Sequence, residues 1–409
     1  MLKKSLAAAL GAMLMAGTAG AVEVAQGGKG DLLIAPVFMT GGGWTSEIKV
    51  INTNTVDSAV AKVVFHGPVR SEEVLDFLVF LSPGDVWTGV VQQNADGTVG
   101  VSSADPSAML TPNLSNGCPS TSGATSGLNP TEARFTTPHT VGYATVTESR
   151  MIRGLGAAPV AKSAVLAAYS SLCAADTTIT TADTDNVLTG SVTLVNPQNG
   201  NKLSLPLTAL ANYDNQTYLK VGDLTAFAGA GKVSTKAQVE DALWASDFAV
   251  PFNNTTGNLT FATVTFPTKE TYNLSQGTQY TPFPNAVPVS YAVRNEEEEV
   301  LGTVGCRVSP CALNPGNSLP NELNIVALAA GGSIAASTAS QVNTERFTKG
   351  WVNVAIAPEP SDTRSNVNYN NFNQVGAPAL VTYIHWDYTL GSLQGTWQYA
   401  AKTYAPAAR

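Results

Sequence analysis

Residues 31–91 read DLLIAPVFMTGGGWTSEIKVINTNTVDSAVAKVVFHGPVRSEEVLDFLVFLSPGDVWTGVV. Their pattern decides the fold. Short apolar or alternating runs are broken by Gly, Asn, Pro and Asp, as expected of a small antiparallel β-sandwich. In residues 44–52, Trp44, Ser46, Ile48 and Val50 fall on one face, and Thr45, Glu47 and Lys49 on the other. That period of two marks a half-buried strand. Gly41, Gly42 and Gly43 supply a turn with unrestricted φ. Residues 32–38 are the expected hairpin partner, with Pro36 pointing to an edge position. Residues 59–66 carry Ala61, Val63 and Phe65 inward, and residues 75–81 follow with Leu75, Phe77, Val79 and Leu81 on one face. The turn Ser82-Pro83-Gly84-Asp85 then leads into residues 86–91. Trp44, Phe65, Phe77 and Trp87 read as sandwich core.

Outward from this stretch the pattern fades and returns. Residues 102–138 are rich in Ser, Thr, Gly, Pro and Asn and read as a long loop holding Cys118. Residues 141–148, 187–196, 203–210, 259–266, 323–329, 351–356 and 379–388 read as further strands. Residues 157–173 fit either a helix or a covered strand. A second helix is expected after Thr235, which with Gln238 forms a capping box. Its buried face would carry Val239, Ala242, Leu243 and Ser246, and it should end near Asp247. The fold class is therefore mainly β, one or more antiparallel β-sandwiches with long loops and one or two short helices. The segments are 1–21, a signal peptide; 22–101, N-terminal sandwich strands; 102–138, the loop; and 139–409, a further β-rich region. That last region either completes the same sandwich or forms a second domain.

Lys3 and Lys4, the apolar run 6–15 and the small residues Ala19-Gly20-Ala21 have the layout of a cleaved secretory signal. The expected address is secreted or cell-surface, with the periplasm as the variant. No later run is long and apolar enough for a transmembrane helix, and the end of the chain, TYAPAAR, lacks the terminal aromatic residue of an outer-membrane barrel. A net charge of −8 argues against a phosphate-binding surface, so no nucleic-acid partner is expected. Four cysteines in an exported chain read as two disulfides. Sequence alone permits three pairings; a Cys118–Cys173 bridge would tether the long loop, and Cys306 with Cys311 would close a short turn.

Chemistry is harder to find. His66, His139 and His385 share no ligand spacing. Asp183 and Asp185 are weak calcium candidates, since they lack the full loop of an EF-hand. Glu296 to Glu299 form an acidic run suited to a charged strand edge. No nucleophile elbow, metalloprotease helix or phosphate loop occurs. Asp76 and Asp85 are carboxylates that folding could pair for glycoside hydrolysis. Trp87, Trp351, Trp386, Tyr388, Trp397 and Tyr399 could offer a sugar-stacking platform, although aromatic side chains also dominate cores. No catalytic residue and no cofactor is assigned.

The strand endings INT (51–53) and LSPGDVWTG (81–89), with GYATVTES (142–149), VLTGSVTLVNP (187–197) and ATVTFPTK (262–269), resemble uncharacterised secreted bacterial cell-surface proteins with Ig-like β-sandwiches. The resemblance implies export and a surface or envelope role. It transfers no catalytic residues. The expected function is an exported non-enzymatic structural or surface protein, such as a coat or filament subunit. Its partners would be copies of itself or envelope components. The alternatives are an adhesin whose partner is a glycan and, third, a secreted hydrolase.

Overall fold

In the computed structural model the described residues are 22–69, 72–110, 114–115, 118–120, 124–156, 159–175, 185–198, 200–213, 236–269, 271–273, 278–280, 287–300, 318–329, 339–344, 347–356, 377–387 and 392–399. They are mainly strand, with two helices, Lys162–Ala175 and Lys236–Ala242. Strand pairing is antiparallel except where Leu323–Ala329 runs parallel to Ala339–Asn343. The expected signal segment lies outside the described residues.

The first sandwich has two layers joined by one strand. In one layer Thr208–Ala211, Leu32–Met39, Val141–Ile152, Ser58–His66 and Glu73–Leu81 lie side by side. The other holds Val86–Gln93, Thr45–Asn52, Leu188–Asn196 and Asn201–Pro206. Val99–Leu110 belongs to both. Its first residues pair with 90–93, and Ala108, Met109 and Leu110 pair with Val79, Leu78 and Phe77. The core between the layers is aromatic at its centre. Phe38, Phe65, Phe77, Trp87 and Phe135 contact one another in series at centroid distances of 5.4–6.3 Å. The Trp87 indole occupies the space beside Gly89, where an added Cβ would come within 2.3 Å of the ring.

Several expectations change here. Residues 41–44 do form a tight turn, with Trp44 N–H donating to Gly41 O at 3.0 Å and positive φ at Gly42 and Gly43. The two strands then part after a single bridge. Leu32–Met39 pairs with Val141–Ile152 and Thr208–Ala211, while Thr45–Asn52 pairs with strands of the opposite layer. Ser46 is the reason they can separate. Its Oγ accepts from Met39 N–H and donates to Met39 O, both at 2.7 Å, replacing the ladder with a side chain. Pro36 is not on an edge strand. It sits beyond the reach of Thr208–Ala211 and beside the register shift at Gly142/Ala144, where a missing N–H is tolerated.

The stretch 102–138, read as a long loop, holds the second half of Val99–Leu110 and the short strands Leu114–Ser115, Cys118–Pro119 and Ser126–Leu128. Residues 157–173 resolve in favour of a helix, Lys162–Ala175. It buries Val165, Leu166, Tyr169 and Cys173 against Val60, Leu78, Phe80 and Met109 on the outer face of the first layer. The second helix stops at Ala242, because Trp244–Ala245 pairs with Ala377–Pro378. Thr235 lies outside the described residues.

The second sandwich shares a layer with the first. One of its sheets is Asp247–Asn253, Lys349–Ile356, Val287–Asn295 and Ser318–Leu319; the other is Ala339–Asn343, Leu323–Ala329, Asn258–Thr265, Leu380–Asp387 and Ser392–Tyr399. Leu323–Ala329, Asn258–Thr265 and Leu380–Asp387 of this last sheet are covered on both faces. Ala262, Val264, Val326, Leu328, Val381 and Tyr383 enter the second core. Phe261, Leu323, Ile325 and Ile384 join the apolar cluster of the first. Strands buried on both sides read as continuous apolar runs, as LTFATVTF and NIVALA do. Polar contacts reinforce the junction: Thr265 Oγ1 donates to Pro36 O at 2.7 Å, and Leu323 N–H donates to Pro68 O at 3.1 Å.

Candidate functional site

The first sandwich opens a groove of about 590 Å³ on its outer surface, lined by Val86, Thr88, Val90, Ser102, Ser103, Ala104, Asp105 and Leu128. Its origin is the shared strand. Alternation in Val86–Gln93 sends Trp87 and Val91 into the core and leaves Val86, Thr88 and Val90 outside. Val99–Leu110 follows this strand as far as Ser102, paired with Val90, and then leaves for the other layer. The gap is held open by side chains. Ser103 Oγ donates to Thr88 O at 2.7 Å, and Ser107 donates to the Asp105 carboxylate. The pairing partner Ser126–Leu128 shifts register across the same bend. The result is a floor of valines with hydroxyls and one carboxylate along the rim. Such a surface can take an extended or polyhydroxylated ligand by apolar contact and hydrogen bonds.

A second cluster lies where the Lys162–Ala175 helix meets the 82–85 turn. Asp85 Oδ2 accepts from Ser82 N–H at 3.2 Å and from Ser82 Oγ at 3.3 Å. Lys162 Nζ pairs with the same oxygen and donates to Ser82 Oγ at 3.3 Å. Burial pushes the Lys162 ammonium down to about 8, while the adjacent carboxylate favours the charged form. Asp85 thus has a lysine, not a second carboxylate. Asp76 likewise pairs with Lys62 at 3.0 Å. The acid pair considered for glycoside hydrolysis is divided between two cations.

The remaining candidates occupy structural places. Asp185 pairs with Arg153, and Asp183 lies outside the described residues. Among the described residues no group of three or more His, Cys, Asp or Glu side chains is arranged to hold a metal. Cys118 and Cys173 form a disulfide with Cα atoms 5.8 Å apart. Cys306 and Cys311 lie outside the described residues. His66 stacks on Tyr143 at 4.6 Å and shares a hydrogen bond with Thr145. His139 contacts Glu72, whose carboxyl is held below its usual range chiefly by the Thr137 hydroxyl and also by His139. His385 Nε2 lies 2.7 Å from Asn258 Oδ1, and burial lowers its pKa against the opposing pull of Asp387.

The glutamate run forms an exposed turn, not a strand edge. Asn295 Oδ1 accepts from the N–H groups of Glu297 and Glu299, and Glu298 has φ 64°. Trp386 does not offer a free sugar platform. One ring face lies against Trp44, and Phe261 meets it edge-on at 5.0 Å. Tyr388 and the side chains of Trp397 and Tyr399 lie outside the described residues.

No family model, no curated protein and no solved structure matches this chain. Its own geometry therefore carries the functional reading. The groove is not legible in the sequence, although the alternation of residues 86–91 does show the outward valines. Nor is the role of Lys162, whose partner is set by a long-range packing contact.

Proposed function

We propose that this chain is an exported, non-enzymatic structural or cell-surface protein, a subunit of a surface coat or filament. The observation that carries the reading is the sheet whose two faces serve both cores. A subunit that transmits force or holds a lattice spacing needs its modules fixed relative to one another. Two sandwiches joined only by a linker move independently by default. Sharing a layer removes that freedom, because any hinge motion would expose Phe261, Leu323 and Ile384 to water. The edge strand Asp247–Asn253 supports controlled assembly. It carries Asp247 and Pro251, a charge and a missing donor that discourage indiscriminate strand addition. Fractionation of the native cells tests the proposal: the chain should sediment with an envelope or extracellular assembly, and a monomer confined to the periplasm would contradict it.

The groove favours a second reading, an adhesin or carbohydrate-binding protein. Binding on a glycan array, lost on Asp105→Ala with the fold intact, would support that reading over the first.

A further inference from the structure

We propose that Lys162 and Asp85 condense to a side-chain amide in the mature protein, releasing one water. The pair joins parts of the fold that are distant in sequence, the helix start and the turn after Glu73–Leu81. Both side chains are largely covered, at 19% and 20% exposure. Four other ion pairs among the described residues differ. Lys49 with Glu47, Arg134 with Asp96 and Arg153 with Asp185 are solvated. Lys62 with Asp76 links adjacent strands that are already hydrogen-bonded. A covalent bond at Lys162 would fix a helix that the sheet ladder does not hold.

The chemistry balances from the ion pair alone. Proton transfer from the ammonium to the carboxylate gives amine and acid, an exchange whose cost partial burial reduces. The Nζ lone pair attacks Asp85 Cγ. Charge develops on Oδ2, where Ser82 N–H and Oγ–H are already directed. Oδ1 departs as water with the two protons that the ammonium sheds, leaving one on the amide nitrogen. Nothing is oxidised or reduced. Holding two reactants in contact is worth an effective concentration of roughly 10⁵ M or more, which speeds the attack. The bond would complete a bracket. Cys173 already ties the far end of this helix to Cys118, and the amide would tie the near end to the turn.

The test is mass spectrometry of the chain purified from its native source, reduced, alkylated and compared with the mass from its determined N-terminus. The expected result is a deficit of one water. Trypsin should fail to cleave after Lys162 and should release a branched peptide joining the segments that hold Asp85 and Lys162. Asp96-Gly97 can also lose a water as a succinimide, so a deficit located there, or anywhere but the branched peptide, overturns the proposal. So does a reduced native chain at full mass that is cleaved after Lys162. Lys162→Arg should restore the missing water.

Discussion

Trp44 of the first sandwich and Trp386 of the second stack with ring centroids 5.0 Å apart and planes 12° from parallel. The contact pins the start of one strand to the end of another across the junction. Each ring is partly buried and packs against the first core. Trp386→Ala is expected to destabilise the chain by about 3 kcal/mol, mostly through lost burial. A double-mutant cycle with Trp44→Ala should return a coupling of about 1 kcal/mol. Urea denaturation of the four proteins measures both; additive effects would show that the stacking is incidental.

Lys62 is almost fully buried, whereas its partner Asp76 reaches solvent. The two deletions should therefore differ. Asp76→Ala removes the carboxylate in contact with the buried ammonium, leaving the pull of Glu73, and should cost about 3 kcal/mol. Lys62→Met leaves a carboxylate that water can reach and keeps most of the lysine's buried volume. We expect that change to lie within about 1.5 kcal/mol of the parent. Equal losses in thermal or chemical denaturation would contradict this account of the pair.

The Cys118–Cys173 bridge spans 55 residues. Closing a loop of that size removes roughly 4 kcal/mol of unfolded-chain entropy. Cys118→Ala with Cys173→Ala should lower the stability by that order and expose the Lys162–Ala175 helix to proteases first. Unchanged melting on reduction would indicate that apolar packing alone holds the helix.

His385 links acidification to unfolding. Its folded pKa lies below the ordinary histidine value because of burial. Between the two values the unfolded chain binds the extra proton. The associated stability is fully present above the unfolded pKa of about 6.5 and is lost as pH falls toward the folded value. His385→Gln should flatten this part of the pH profile. Denaturation curves at about pH 5 and about pH 7.5 provide the check, and an unaltered slope in the variant would assign the acid sensitivity elsewhere.

Period-two alternation carried much of the fold in residues 44–52 and 86–91, where one face is buried and the other wet. It also placed Trp87 and Phe77 correctly in the core. The pairing of Leu32–Met39 was not legible, because a tight Gly turn looks the same whether its strands stay together or diverge. The difference lies in the Ser46 hydroxyl bonding Met39. Residues 102–110 hid their strand for a related reason: a strand that changes layers alternates with two different neighbours in turn. Asn258–Thr265 showed its apolar run, but which core each side chain enters depends on a neighbour far along the chain. Trp386 illustrates the limit for sites. An aromatic ring near a polar alternation suits a ligand platform until Trp44 is found against it.

The role proposed for the two joined sandwiches is that of a building block in a surface assembly. Immunogold electron microscopy of the intact native cells and of their sheared, sedimented surface fraction tests it most directly. Label is expected on a regular coat or filament, with this chain as a principal component of the sediment. Label confined to the periplasm, with the chain recovered as a soluble monomer, would contradict it.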